Sequence, residues 1–277
     1  MLSIASLNSG SNGNCYYVGN EREAILIDAG LSSRETDRRM KRLGLNPKNL
    51  RGVFITHEHS DHIKGLRSIV KKFKLPVYVT NKTVEYARLK IKDQNLRHFN
   101  PLVPTMIGSL SIVAVPKFHD ACDPHSFVVS CNYVNVGIFT DTGSPCKNLI
   151  HHFKQCHAAF LESNYDEQML EQGSYPYALK NRIRGGRGHL SNRQALQLFL
   201  EYRPPFMSHL FLSHLSENNN RPEIVQNLFR SCAGRTEIVI ASRYQETSLY
   251  NIQNNGFAVR PFRSAIAKPN LQLSLFQ

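Results

Sequence analysis

Apolar residues in this chain fall in short runs rich in β-branched and aromatic side chains. Between them lie polar turns and longer stretches in which apolar positions recur every three or four residues. The short runs predict strands over 2–7, 15–18, 24–27, 52–56, 77–80, 110–115, 127–130, 136–140, 158–161, 210–213 and 237–241. The longer stretches predict helices over 34–43, 66–73, 84–91, 177–183, 192–201 and 222–232. Ser191-x-x-Gln194 has the form of a capping box, and Asn220-x-x-Glu223 a similar form with Pro222 in the first turn. Strands outnumber helices early and come as hairpins, whereas later the two alternate. That order predicts an α/β fold in which helices cover a sheet sandwich, rather than one purely parallel sheet. There is no internal repeat or low-complexity segment. A Lys268-Pro269 break sets off the carboxyl end, giving one domain over 1–267 and a tail over 268–277.

Composition narrows the class. With 277 residues, 41% of them hydrophobic, the chain can bury the core of one large domain. Lys and Arg number 34 against 21 Asp and Glu, a net charge of +13 and a pI near 9.6, which points to polyanionic partners. Met1-Leu2-Ser3-Ile4-Ala5 lacks a basic leader, so no signal peptide is expected, and no run approaches the roughly 18 apolar residues of a membrane span. Six scattered cysteines form no C-x-x-C pair and read as reduced, structural thiols of a cytoplasmic protein. Membrane-spanning, disulfide-stapled and disordered classes are excluded. The positive charge is uneven. Residues 31–74 hold 12 Lys and Arg against four acids, and residues 180–193 hold five basic residues and no acid.

The strongest chemical signal is Thr56-His57-Glu58-His59-Ser60-Asp61-His62, directly after the apolar run Gly52-Val53-Phe54-Ile55. Side chains alternate along a strand, so a strand ending here puts His57 and His59 on one side, with Asp61 and His62 in the turn that follows. Three imidazoles and a carboxylate this close repel one another when charged and need a shared partner. A borderline divalent cation such as Zn²⁺ or Mn²⁺ supplies one. Chance histidines in a surface turn are the bland alternative, and their density after a buried strand argues against it.

This H-x-H-x-D-H run resembles the hallmark of the metallo-β-lactamase-fold hydrolases, which implies an αββα four-layer sandwich. Three further residues at predicted strand ends extend the resemblance: His119 in Phe-His-Asp-Ala, Asp141 in Phe-Thr-Asp-Thr-Gly, and His214 after Leu-Phe-Leu-Ser. By resemblance, His57, His59 and His119 hold one of two divalent metal ions. Asp61, His62 and His214 hold the other, and Asp141 bridges them. Asp28, in Leu-Ile-Asp-Ala-Gly, matches an early family aspartate and is read as structural support.

Glu162 in Leu-Glu-Ser-Asn, then His189 in Gly-His-Leu-Ser-Asn, then His214-Leu215-Ser216 resemble the nuclease side of the fold and are similar to ribonuclease Z. There a glutamate orients a histidine that protonates the leaving oxygen. Together with Ser9-Gly10-Ser11-Asn12-Gly13-Asn14, the wording more closely resembles the WalJ/YycJ-type branch, over roughly residues 2–262. That likeness implies a 5′→3′ exonuclease on double-stranded DNA, serving repair or replication. The candidate catalytic residues are Asp61, His189 and Glu162. Two metals clamp a phosphate oxygen and acidify a water, while His189, held by Glu162, donates a proton to the departing alkoxide. His189 also reads as a plain helix-entry residue before the Ser191 cap. Arg184, Arg187 and Arg193 are candidate nucleic-acid contacts, because glycines 185 and 186 let backbone amides approach phosphate; a solvated helix face is the alternative. Residues 9–14 read equally as a phosphate-cradling loop or a hairpin turn. Two alternatives share the metal site: a ribonuclease, and a small-molecule hydrolase acting on thioesters or lactones. The second gives no reason for the excess of positive charge. A metal-stabilised protein that binds DNA without cutting it is a third, disfavoured because every ligand position is filled.

In the tail, Gln272-Leu273-Ser274-Leu275-Phe276 resembles the pentapeptide by which bacterial replication and repair proteins dock on the DNA sliding clamp. Leu275 and Phe276 would fill an apolar groove, with Leu273 beside them and Gln272 hydrogen-bonded. Packing of the tail on its own domain is the alternative reading.

Overall fold

The computed structural model describes residues 1–254. The tail, with Gln272, Leu273, Leu275 and Phe276, lies outside the described residues, as does 255–267 of the expected domain. The strands are β1 Leu2–Asn8, β2 Cys15–Gly19, β3 Ala24–Ile27, β4 Leu50–Phe54, β5 Val77–Tyr78, β6 Leu96–Arg97, β7 Thr105–Ile107, β8 Leu110–Pro116, β9 His125–Cys131, β10 Val134–Phe139, β11 Ala158–Glu162, β12 His209–Ser213, β13 Glu237–Ile240 and β14 Tyr250–Ile252. The helices are α1 Ser33–Arg42, α2 Ser60–Ile63, α3 Leu66–Phe73, α4 Asn81–Tyr86, α5 Lys147–Phe153, α6 Glu167–Gln172, α7 Tyr177–Arg184, α8 Asn192–Tyr202 and α9 Pro222–Arg230.

Two seven-stranded sheets result, ordered β14-β1-β2-β3-β4-β5-β6 and β13-β12-β11-β10-β9-β8-β7. Each opens with antiparallel hairpins and passes to parallel strands, at β3–β4 in the first and β10–β11 in the second. The order seen in sequence, hairpins first and alternation later, therefore occurs twice. Both sheet faces are covered, so the strands read as nearly continuous apolar runs rather than as clean alternation. Along β3, Ile25 and Ile27 enter the core between the sheets, whereas Ala24 and Leu26 face the layer holding Met40 of α1 and Leu66 and Ile69 of α3. On the other side, Phe139 and Leu161 pack with Leu149 and Phe153 of α5, Phe199 of α8 and Phe229 of α9. Phe54 ties the halves together, stacked on Tyr78 at 4.3 Å and edge-on to Phe127 at 5.5 Å. The layers run helix, sheet, sheet, helix, as expected.

Two expectations need correction. The helix expected over 84–91 begins at Asn81, because the Thr80 side chain accepts from Thr83 N, and it ends at Tyr86 before a left-handed Arg88 (φ 48°). The capping box at Ser191 and Gln194 is present in both directions. Asn220, however, does not cap α9: its side chain donates instead to the Ser163 and Asn164 carbonyls, and Arg221 occupies the cap position without a side-chain bond. Helices α5 and α6 went unseen, capped by Cys146 and Asp166. The edge strands β6, β7 and β14, two or three residues each, were too short to leave a pattern.

Candidate metal centre and acid–base pair

The candidate residues gather where strands end. Asp28 follows β3, His57 and His59 follow β4, His119 follows β8, Asp141 follows β10, Glu162 ends β11 and His214 follows β12. Asp28, Asp141 and His214 all have left-handed backbones, with φ of 64°, 52° and 58°. Each such residue costs roughly 1–2 kcal/mol against its extended form, a strain the surrounding strands impose at the site. Gly30 lets the Asp61 backbone come close, since a Cβ there would lie 1.8 Å from the Asp61 carbonyl oxygen.

Hydrogen bonds fix which ring nitrogens face inward. Thr56 Oγ1 donates to the Asp28 carboxylate and accepts from His57 Nδ1 at 2.8 Å. His62 Nδ1 donates to Asp28 Oδ2 at 2.7 Å, and His119 Nδ1 donates to the Gly188 carbonyl at 3.0 Å. The Nε2 atoms of His57 and His119 are thereby left as lone pairs, and that of His62 is turned toward the Asp61 and Asp141 carboxylates. His57 Nε2 lies 3.1 Å and His119 Nε2 3.3 Å from His59 Nδ1. In a second set, His62 Nε2 is 3.3 Å from both Asp61 Oδ2 and Asp141 Oδ2, and His214 Nε2 is 3.5 Å from Asp61 Oδ2. Asp141 Oδ1 reaches back to within 3.9 Å of His119 Nε2, so this carboxylate stands between the sets.

Both sets fit a divalent cation. Four ligand atoms held tetrahedrally about 2.0–2.1 Å from an ion sit roughly 3.3 Å apart, which matches these spacings. Asp141 Oδ2 and His214 Nε2 are buried and have no hydrogen-bond partner in the protein, an expensive state unless something else binds them. In the first set the charges also suit ligands, whereas in the second the neighbouring carboxylates outweigh burial and push His62 and His214 up, His214 to about 10. Burial, with His62 and Lys117 nearby, pushes the His57 imidazole well below its usual range. Burial likewise brings His119 down to about 4, so both rings are neutral donors. Burial alone would raise the Asp61 and Asp141 carboxyls, but the His62 and His214 imidazoles outweigh it and hold both well below the usual range.

Glu162 lies beneath the second set, fully buried. Its Oε1 accepts from His189 Nδ1 at 2.7 Å and from His214 Nδ1 at 3.0 Å, and its Oε2 accepts from Thr142 N at 2.6 Å. Burial pushes this carboxyl up, yet His189 and His214 reverse the effect and hold it at about 2. Glu162, His189, Asp141 and His214 also converge closely enough to form a third cation-binding group. Glu162 Oε1 already accepts two N–H bonds, which favours an acid–base pair over a third ion. The His189 ring lies 5.3 Å from both His119 and His214, and its side chain is 19% exposed.

Several contributors escaped the sequence reading. Asn14, at the end of the glycine-rich turn, donates to Asp61 Oδ2 at 3.0 Å and accepts from Gly10 N at 2.9 Å, so the turn holds a site carboxylate in place. Asn164 donates to the His214 carbonyl at 2.8 Å. Asp120 Oδ1 sits 3.4 Å from His119 Nε2 while its Oδ2 pairs with Arg182 at 2.5 Å. The signal was present in each case, an Asn or Asp beside a motif residue, but its direction was not. Glu58 points away and accepts from Cys122 N at 2.7 Å. The expected nucleic-acid contacts are partly neutralised. Arg184 pairs with Glu171 at 2.9 Å and Arg193 with Glu167 at 3.5 Å, whereas Arg187 has no ion pair with a described residue. Its loop is held close by Gly143, where a Cβ would lie 2.4 Å from Arg187 Cα. All six cysteines are free, and none enters a cation-binding group of the described residues. Among those residues no helix is long and apolar enough to cross a membrane.

The sequence profile of the metallo-beta-lactamase superfamily matches residues 9–179. Exodeoxyribonuclease YycJ of Bacillus anthracis is 34% identical over 228 residues, covering 81% of this chain and 86% of that protein. The chain belongs to the metallo-β-lactamase superfamily. Within it the chain is a WalJ/YycJ-type, metal-dependent hydrolase; exodeoxyribonuclease WalJ of Streptococcus pneumoniae serotype 2 (strain D39) is 30% identical, covering 79% of this chain and 83% of that one. Among solved structures, the metallo-beta-lactamase fold protein YhfI from Bacillus subtilis superposes with a TM-score of 0.70 at 14% identity, over 91% of this chain and all of that one. The short form of human tRNase Z superposes at 0.61 and 14% identity, over 90% of this chain and 100% of that one. At such identities the likeness is one of fold.

Proposed function

We propose that this superfamily member is a metal-dependent nuclease, a 5′→3′ exonuclease on double-stranded DNA that serves repair or replication in the cytoplasm. The observation that carries this reading is the Glu162–His189 pair set against the two donor sets. A thiolate departs without help, but the alkoxide released from a phosphodiester needs a proton. His189 is placed to give one from Nε2, because the Glu162 carboxylate accepts at Nδ1 and fixes the ring's orientation.

His57, His59 and His119 would hold one divalent ion, Zn²⁺ or Mn²⁺. Asp61, His62 and His214 would hold the second, with Asp141 shared. Bound ions supply polarisation of a phosphate oxygen and a lowered pKa for water. Asp61 is the less buried of the two carboxylates and is fixed by Asn14, so it orients the attacking water by accepting its hydrogen bond. Asp28 keeps His62 turned inward. Of the three arginines expected to contact nucleic acid, Arg187 is the one that no described carboxylate holds; Arg184 and Arg193 must first leave theirs. The names of the YycJ and WalJ relatives support DNA as the substrate. The clamp contact of Gln272, Leu273, Leu275 and Phe276 rests on the sequence, and titration of a fluorescent peptide of residues 268–277 with the clamp tests it.

The test of the function is cleavage of end-labelled double-stranded DNA, single-stranded DNA and RNA, side by side, with Mn²⁺ or Zn²⁺. Stepwise loss of nucleotides from the 5′ end of the duplex is the expected result. Preferential cutting of RNA would overturn the DNA reading in favour of a ribonuclease.

A further inference from the structure

A second basic surface lies away from the 180–193 segment. A cleft of about 560 Å³ opens between α3 and the segment that precedes β6, lined by Arg67, Lys71 and Lys74 on one wall and Lys90 and Lys92 on the other. Val70 and Ile91 add apolar surface along which the long aliphatic stems can lie. No carboxylate lines it. All five cations are exposed, and none forms an ion pair with a described residue. The neighbouring Lys72 shows the contrast: it leaves the cleft and is neutralised by Asp37 at 3.0 Å. Asp93 belongs to the same segment as Lys92 but does not line the cleft.

The placement relates this cleft to the candidate metal centre. Helix α3 begins directly after α2, which carries Asp61 and His62, and Gly65 N at the junction donates to the Ala29 carbonyl behind the site. Arg67 and Lys71 are four residues apart on one face of α3, and Lys74 follows at its left-handed end. At 1.5 Å per residue the row extends for roughly 10 Å away from the centre. One strand of a duplex advances about 3.4 Å per phosphate, so the row matches about three consecutive phosphates.

We propose that this cleft binds the sugar–phosphate backbone of the duplex arm that continues beyond the end being hydrolysed. The proposal rests on the nuclease reading above and adds the surface that carries the length of the substrate. Five exposed cations with no described ion-pair partner and no acid among them repel one another, and a polyanion relieves that repulsion while releasing condensed counterions.

The experiment compares wild type with the Arg67→Ala/Lys71→Ala/Lys74→Ala variant, and with Lys90→Ala/Lys92→Ala, all as metal-loaded protein. Three readouts are taken: hydrolysis of bis(p-nitrophenyl) phosphate, kcat/KM on a 40-base-pair end-labelled duplex, and the dependence of duplex affinity on NaCl. Bis(p-nitrophenyl) phosphate is a single phosphodiester with no continuing backbone for the cleft to hold, so its hydrolysis should stay within about twofold and report an intact fold and centre. The triple variant should lose at least tenfold in kcat/KM on the duplex. Its log–log salt slope should be shallower by about 2.7, at roughly 0.9 per released phosphate contact. The double variant should move the slope by about 1.8 on the same basis. Wild-type values of duplex kcat/KM and salt slope in both variants would overturn the proposal while leaving the nuclease reading standing. If wild type binds duplex with the steep slope, the variants lose it, and no protein cuts DNA, then the cleft stands and the nuclease reading falls.

Discussion

The buried centre and the basic segment leading to it use charge in opposite ways. In the centre, Asp61, Asp141, Glu162 and Asp28 face imidazoles at 2.7–3.5 Å, and two ligand-type atoms remain without a protein partner. In the 180–193 segment, Arg182, Arg184 and Arg193 are each met by a carboxylate of another part of the chain, Asp120, Glu171 and Glu167. The first region is unsatisfied by design of its own contacts and asks for a cation. The second is rich in positive charge by count but mostly satisfied, so its count overstates what a phosphate can use. A charge is available to a ligand only as far as the fold leaves it unpaired.

That contrast can be broken by substitution. The largest effect is expected for Asp141→Ala, which removes the carboxylate standing between the two donor sets. Hydrolysis should fall below detection and bound metal, measured by inductively coupled plasma mass spectrometry, should drop with it. Full activity in metal-depleted Asp141→Ala protein would end the metal-dependent account. Next comes His189→Ala, which should keep its metal and slow DNA cleavage by about 10²–10⁴-fold, the usual span for a lost general acid. Asp28→Asn loosens the inward orientation of His62 and should weaken metal affinity by about 10–100-fold, read by competition with a chromogenic chelator. Unchanged affinity would make the Asp28–His62 bond purely architectural. The smallest effects belong to the surface. Arg187→Ala should reduce the salt slope of DNA binding by about 0.9, as for one phosphate contact, whereas Arg184→Ala should change it by less because Glu171 already holds that charge. Equal slopes for the two variants would erase the distinction drawn from their pairing.

How far the sequence went can be read at particular residues. His57, His59, Asp61 and His62 were legible because strand alternation and a tight following turn put them together without knowledge of the rest of the fold. His119, Asp141 and His214 came from family likeness, since nothing local marks a single strand-end residue as a ligand, and the structure brings all of them to one place. A sheet sandwich covered by helices was legible in the order of hairpins and later alternation, and the four layers came from family likeness. The ion pairs of Arg182 and Arg184 were not legible, since Asp120 and Glu171 lie 62 and 13 residues away in the chain and only the fold brings α7 against the loop after β8 and against α6. Nor was the cleft beside α3. Its charges were counted within 31–74, but on its second wall Lys90 sits where a helix was expected over 84–91 and irregular backbone was found, and Lys92 lies just beyond. Asn220 shows the same limit from the other side, a cap by sequence that packing turned into a support for the strand carrying Glu162.

The central claim is that the ligand cluster and the Glu162–His189 pair do separate work on one phosphodiester. The most direct measurement compares wild type, Asp141→Ala and His189→Ala on double-stranded DNA and on the p-nitrophenyl ester of thymidine 5′-phosphate, whose leaving group needs no proton. The prediction is that His189→Ala recovers most of its lost rate on the activated ester while Asp141→Ala recovers none. A His189→Ala variant equally impaired on both substrates, or depleted of metal, would contradict it.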